Sequence, residues 1–195
     1  MAEKVLGKVK VGISNRHVHL SQEDLDKLFG TGYQLTNIKD LSQPGQFAAD
    51  ETVTLVGPKG VLQRVRVLGP TRSKTQVEIS RTDGFALGVR PPVRDSGQHE
   101  GSAGQVTVVG PQGAMTLSEG VILAKRHVHM TSADAKRFDL KDKDMVKIRC
   151  GGDRGLIFDQ VLVRVRDDFA LDCHLDTDEA NAAMLNNGDE VEILK

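Results

Sequence analysis

Apolar and polar residues alternate along most of this chain in short runs broken by glycine, proline and asparagine. Val9, Val11 and Ile13 occupy every second position, as do Val121 and Leu123, which is the period of a strand with one buried face. The same alternation marks residues 63–68, 75–80, 145–149, 161–166 and 190–194. Two of the runs are followed by a helix start. Ser21 with Asp24, and Thr131 with Asp134, have the spacing of a capping box, with aspartate standing in for the usual glutamate or glutamine. Leu25, Leu28 and Phe29 then form a short helical stripe. Residues 91–104 are rich in proline, glycine and polar side chains and read as a mobile loop or linker.

The pattern repeats. Arg16-His17-Val18-His19-Leu20 returns as Arg126-His127-Val128-His129-Met130, 110 residues later. A separate pair, Val53 to Gly60 and Val106 to Gly113, shares a V-T-x-V-G-P-x-G pattern at an offset of 53 and reads as a hairpin-like element. Two related half-molecules follow, each a small β unit. A fainter third copy joins them: His19-Leu20-Ser21-x-x-Asp24 and His129-Met130-Thr131-x-x-Asp134 are matched by His174-Leu175-Asp176-x-x-Glu179. In each, a strand delivers a histidine just before a capped helix. The third helix is expected to run to about Leu185, with Asn187-Gly188 ending it.

Composition narrows the function classes. The chain has 195 residues, 38% hydrophobic and 27% charged, with 26 Lys and Arg against 27 Asp and Glu. Such a balance excludes the basic excess of a general nucleic-acid binder. The absence of tryptophan, with one tyrosine, leaves little for base stacking. No apolar run is long enough to span a membrane, and the lysine-bearing first ten residues lack the apolar centre of a secretory signal. Two cysteines without a CxxC pair fit a reducing, cytoplasmic setting. Twenty glycines and six prolines between short valine-rich runs point to a mostly β barrel or sandwich.

Chemistry concentrates in the histidines. In a strand, residues i and i+2 project from one face, so His17 with His19, and His127 with His129, form two pairs about 7 Å apart at their Cα atoms. One H-x-H reads equally well as a polar strand face. Two copies together with His174 favour metal binding. Asp172 holds the place of the first histidine in the third module, as a ligand, a supporting residue or a surface charge. Cys173 should face away from His174 as a small buried side chain. His99, beside Glu100, is expected to be solvent-exposed. Glu78 is the best carboxylate candidate, sharing a strand face with Gln76 and Ser80, and Arg72 lies in the preceding turn, suited to a bidentate phosphate contact or simply a surface charge.

At these residues the sequence resembles the PduL-type phosphotransacylases, or phosphate propanoyltransferases. The resemblance rests on residues 14–20, on Gly69-Pro70-x-Arg72-x-x-Thr75-Gln76-Val77-Glu78 and on residues 125–129, and extends through Gly188-Asp189. It implies two similar small β-barrel domains capped by short α-helices, with a dinuclear zinc site between them. The first domain would be discontinuous, residues 1–15 plus 125–195, and the second would be 16–124. His17, His19 and Glu78 would hold one zinc; His127, His129 and His174 would hold the other, with Glu78 close enough to bridge. Arg72 matches the phosphate-contacting arginine. The implied reaction is acyl-CoA (propanoyl or acetyl) plus phosphate giving acyl phosphate plus CoA, as in propanediol degradation. Zinc would accept the CoA thiolate, with Arg16 or Arg126 as possible helpers of Arg72. With no Ser-His or Cys-His pair in evidence, direct phosphate attack is expected. A homodimer, cytoplasmic or within a bacterial microcompartment, is implied as well. Encapsulated members carry an amphipathic helical extension before the first strand; here 15 residues precede Arg16 and several read as strand.

Three other readings compete. His17-x-His19-x3-Glu23 fits a cupin-type metal oxygenase, although Glu23 falls inside the expected capped helix and the second copy has Ala133 there. The same ligands could serve a dinuclear zinc hydrolase of thioesters or phosphoesters. A scaffold-binding module with structural zinc is the third, opposed by the cysteine-free ligand set.

Overall fold

The structure, a computed structural model, describes residues 3–195. In chain order its elements begin β1 (Val5–Ser14), β2 (His17–His19), α1 (Gln22–Phe29), β3 (Asn37–Asp40), β4 (Phe47–Val56), β5 (Val61–Gly69), β6 (Gln76–Glu78) and α2 (Arg81–Leu87). Next come β7 (Val93–Arg94), β8 (Val106–Val109), β9 (Ala114–Leu117), β10 (Val121–Ala124), β11 (His127–Met130) and α3 (Ser132–Phe138). The chain finishes with β12 (Met145–Cys150), β13 (Leu156–Val165), β14 (Asp172–Asp176), α4 (Thr177–Ala183) and β15 (Glu190–Leu194). They divide into two compact units. The first holds the residues up to Ser14, then 42–44 and 125–195; the second holds 15–41 and 45–124. Residues 42–44 carry no repeat signal, yet belong to the first unit. Gln43 is buried there and pairs both ways with Ala170, its Nε2 donating to the Ala170 carbonyl and its Oε1 accepting from the Ala170 N–H.

The two sheets share a kernel. In the first unit β11 lies antiparallel to β14 and parallel to β13, and β13 pairs antiparallel with β12. In the second, β2 lies antiparallel to β6 and parallel to β5, and β5 pairs antiparallel with β4. Even the outer neighbours agree, for β1 adds in parallel to β14 as β10 does to β6. The difference is closure. In the first unit β1 also pairs with β15, completing a six-stranded barrel. In the second, β8 stands where β15 does, but its free edge pairs with β9. The expected second barrel is therefore a nine-stranded sheet that stays open along its hydrogen-bond path.

Alternation sets each core. Val18, Leu20, Leu25, Leu28, Leu55, Val67 and Val77 belong to one apolar cluster, and Val11, Val128, Met130, Ile148, Cys173 and Leu175 to the other. Each such large aliphatic side chain taken from water contributes about 1.5–3 kcal/mol. Every helix starts on a side-chain cap: Ser21, Ser80, Thr131 and Asp176 each accept from the backbone N–H three residues on. The V-G-P-x-G turns have a use that their sequence does not announce. In the β4–β5 turn Lys59 N donates to the Leu87 carbonyl at the end of α2, and in the β8–β9 turn Gln112 N donates to that of Leu28 in α1. A Cβ at Gly57 would stand 2.3 Å from the Leu87 oxygen and one at Gly110 would stand 2.5 Å from the Leu28 oxygen, so only glycine allows this approach.

Three local expectations need correction. Helix α4 ends at Ala183, because Met184 takes the left-handed conformation and its N–H turns back to the Asn181 carbonyl, so the helix never reaches Leu185. The strand expected over 75–80 is shorter, and Ser80 instead caps α2, which the alternation did not reveal. Residues 91–104 are not a linker: they lie within the second unit, where β7 pairs in parallel with β10.

The arginine that opens each repeat is a clamp. Arg16 Nη2 reaches the buried carboxylate of Asp83 at 3.0 Å, and Arg126 Nε reaches Glu179 at 2.8 Å. Asp83 and Glu179 are the capping-box acids of α2 and α4, so each arginine pins the helix that follows the partner strand. Asp83→Ala removes both a cap and a buried ion pair and should lower stability by about 1–3 kcal/mol. Asp134→Ala, whose ion-pair partner Arg137 is solvent-exposed, should cost no more than about 1 kcal/mol. Urea unfolding of the two variants checks the difference.

Candidate metal centres

The register of the short strands assembles the site residues. His17 lies opposite Glu78 and His19 opposite Gln76, while Val18 and Val77 meet on the core side. In the first unit His127 lies opposite His174 and His129 opposite Asp172, with Val128 and Cys173 on the core side. Directly opposed side chains in an antiparallel pair are about 5 Å apart at Cβ, close enough to share an ion. Two groups of donor atoms result, His17/His19/Glu78 and His127/His129/His174, each with its atoms within 4.8 Å of one another.

In the second unit His17 Nε2 stands 3.5 Å from one Glu78 oxygen and His19 Nε2 stands 3.9 Å from the other. His17 Nδ1 meets the Asn15 carbonyl at 2.8 Å. A carbonyl only accepts, so the hydrogen sits on Nδ1, and in the neutral ring Nε2 keeps its lone pair toward the carboxylate. His127 repeats this, with Nδ1 on the Lys125 carbonyl at 2.7 Å and Nε2 2.9 Å from His129 Nε2. The buried Nδ1 atom of His129 has no hydrogen-bond partner, while His19 is held by the Leu68 backbone. Buried imidazoles with converging nitrogens and unpaired atoms are costly alone and suit a divalent cation with nitrogen and oxygen ligands.

The charge states agree. Burial holds His129 down to about 2, helped by the charges His127 and His174 would carry, so it stays a neutral donor. Burial likewise holds His19 well below the usual imidazole range, with His17 and Arg72 adding to it. Burial also pulls on His17, but the Glu78 carboxylate outweighs it and its value is raised. Burial would raise Glu78, yet the neighbouring imidazoles hold it well below the carboxylate range.

Arg72 joins the second-unit group through hydrogen bonds. Its Nη1 donates to Ser96 Oγ at 3.1 Å, and Ser96 Oγ donates to Glu78 Oε1 at 2.6 Å. Gln76 Nε2 donates to the same Glu78 oxygen at 2.6 Å, while its carbonyl accepts from Gly97 N. Sequence reasoning passed over Gln76 and Ser96. Gln76 was readable, two positions from Glu78 on one strand face. Ser96 had no signal, lying in an irregular segment. Glu78 had a stronger signal than its strand position: Glu78-Ile79-Ser80-x-x-Asp83 is a fourth copy of the ligand, apolar residue, cap and acid pattern.

Other candidates fall elsewhere. Glu23 of the cupin pattern is exposed on α1 and paired with Lys27, outside the donor groups. Arg16 and Arg126 are committed to Asp83 and Glu179. His99 is half-buried rather than exposed and lines a cleft of about 360 Å³ with Arg72, Ser73, Lys74, Gly97 and Glu100. Cys173 is fully buried in the core, and burial pushes its thiol up; burial moves Cys150 up to about 11.

The His17–Glu78 pair gives the metal-free protein a pH signature. A raised histidine contributes stability that is complete below its unfolded value, about 6.5, and lost as pH rises through the folded value. The depressed Glu78 contributes above the unfolded carboxylate range, about 4.3, and loses that contribution only in stronger acid. Glu78→Gln should therefore destabilise the chelated protein most at roughly pH 5.5–6 and progressively less toward pH 8.5. Urea unfolding of both proteins across that range checks it; a penalty that grows with pH would refute the pairing.

Comparison with known proteins places the chain. A family model described as phosphate propanoyltransferase matches residues 10–186. Curated relatives bear the same description. One from Thermotoga maritima is 64% identical over 95% of this chain and 88% of its own length. One from Rhodopseudomonas palustris is 53% identical over 96% of this chain and 83% of its own, and one from Clostridioides difficile is 48% identical over 100% and 96%. A match spanning nearly the whole chain at such identity means that this chain belongs to the phosphate propanoyltransferase family.

Proposed function

We propose that the chain is a zinc-dependent phosphate acyltransferase, interconverting acyl-CoA and phosphate with acyl phosphate and CoA. The observation that carries the reading is the link from Arg72 through Ser96 to Glu78, a guanidinium suited to phosphate joined by hydrogen bonds to a histidine-rich donor group. The family relationship supplies the substrates.

His17, His19 and Glu78 would hold one ion, and His127, His129 and His174 the other. Zinc bound there would supply Lewis acidity for the carbonyl oxygen and for the departing thiolate. A donor set of imidazoles and one carboxylate, with three protein ligands in each group, leaves coordination positions for substrate.

Arg72 holds the phosphate by paired N–H donors and aims one oxygen at the thioester carbonyl carbon. A C–O bond forms as the C–S bond breaks, and the electron pair leaves with the CoA sulfur. Ser96 fixes the guanidinium, and orienting the two reactants removes a large entropic barrier. No protein nucleophile is needed. Cys173, the nearest thiol in sequence, points into the core on the far side of the strand. The reading carries with it a homodimer in the cytoplasm, with association with a bacterial microcompartment as its further extension. Among the described residues no helix is long and apolar enough to cross a membrane.

CoA release from propanoyl-CoA should require phosphate, stop on chelation and return with zinc. Release without phosphate would make the protein a hydrolase, and redox-active iron or manganese in the purified protein would favour the oxygenase-like site. Arg72→Lys, which loses the paired donors, should lower kcat/KM for phosphate by about 100-fold. Cys173→Ser should keep near-wild-type turnover with metal content unchanged; an inactive but fully loaded variant would mean an acyl-enzyme.

A further inference from the structure

The two donor groups occupy equivalent positions, yet their chemistry is exchanged. Opposite the first histidine stands Glu78 in the second unit and His174 in the first. Opposite the second histidine stands Gln76 in one and Asp172 in the other. The carboxylate that is a ligand candidate in the second unit thus moves two residues back in the first. The neighbouring strand changes in step. Ile122 of β10 is in register with Glu78, whereas Gly12 of β1 is in register with His174.

The glycine is required by contact. A Cβ at Gly12 would lie 2.9 Å from both Asp172 Oδ2 and His174 Cδ2, and 3.1 Å from His174 Nε2. The Cδ2–Nε2 edge of the imidazole therefore rests against Gly12, with Nδ1 on the opposite edge. Asp172, itself buried, places Oδ2 3.1 Å from that same Nε2. Ser42 Oγ lies 3.4 Å from it. A carboxylate accepts, so the shared hydrogen is carried on Nε2 and the lone pair of the neutral ring on Nδ1.

We propose that Asp172, seated in the space left by Gly12, is a positioning residue that fixes His174 in its Nε2–H form and gives the first-unit metal group the negative charge its three imidazoles lack. This rests on the metal-binding reading above. It makes the two groups equal in charge by different routes: a carboxylate offered as ligand in the second unit, and a carboxylate–histidine pair in the first. Partners of this kind orient a ligand and raise its basicity, and their loss weakens metal affinity by about 10- to 100-fold.

The test uses zinc titration of chelated full-length protein against a colorimetric chelator. Wild type is expected to take up two equivalents. Asp172→Asn, which keeps the shape and removes the charge, should weaken one equivalent by about 10- to 100-fold and leave the other as in wild type. Gly12→Ala, with the carboxylate intact but the ring displaced, should affect the same equivalent. The metal-free melting temperature of Asp172→Asn separates this from a folding defect, and long-range proton–nitrogen spectra of metal-free wild type should show His174 protonated at Nε2. Two wild-type equivalents with unchanged affinity in Asp172→Asn, or a Nδ1-protonated His174, would overturn the proposal while leaving the metal reading intact. A wild-type protein that binds no zinc would sink both.

Discussion

In both units the chemistry depends on the register of one short antiparallel strand pair. That register sets His17 across from Glu78 and His127 across from His174. A slip of one residue would send every donor into the core and bring valines to the site. Three restraints oppose it. Val18, Val77, Val128 and Cys173 are fully buried on the opposite face. A helix N-cap stands two residues after each of His19, Glu78, His129 and His174, and the cap fixes where the strand must stop. The arginine ahead of each H-x-H then ties the first strand to the helix of the second. Position and chemistry are thereby separated: apolar residues, caps and arginines place the polar face, and the polar face is left to vary.

The shared kernel with two closures shows how much variation is tolerated. Strand order and direction agree over six positions in each unit, but β9 takes the edge of β8 in the second unit and the barrel does not close. The exchange of Glu78 and Gln76 for His174 and Asp172 is the same tolerance at the level of side chains. Neither exchange disturbs the buried valines, because a strand presents its two faces independently.

Much of this was legible in the chain itself. The R-H-V-H repeat, period-2 alternation and Ser/Thr-x-x-Asp caps identify short strands that run into short helices. His17, His19, His127 and His129 follow from spacing, since i and i+2 share a face, and His174 follows from the histidine, apolar residue and cap pattern. What the sequence hid has physical reasons. Helix α2 is about two turns long with a glycine inside, too short to show a stripe, although its cap repeats the pattern. The early end of α4 depends on Met184 accepting a left-handed backbone that side chains rarely adopt. Ser96 and residues 42–44 act through contacts distant in sequence, which no local periodicity encodes. The partners of Arg16 and Arg126 lie more than 50 residues away, so their guanidinium groups read equally well as free cations.

The burial of both cysteines has a redox consequence. A thiol exchanges with disulfides through its thiolate, and Cys150 and Cys173 are held in their protonated forms deep in the first unit's core. The reaction proposed above releases CoA, itself a thiol. Burial shields both thiols from exchange with it while the barrel stays folded, and leaves Met145 and Met184 as exposed sulfur-bearing side chains open to oxidation.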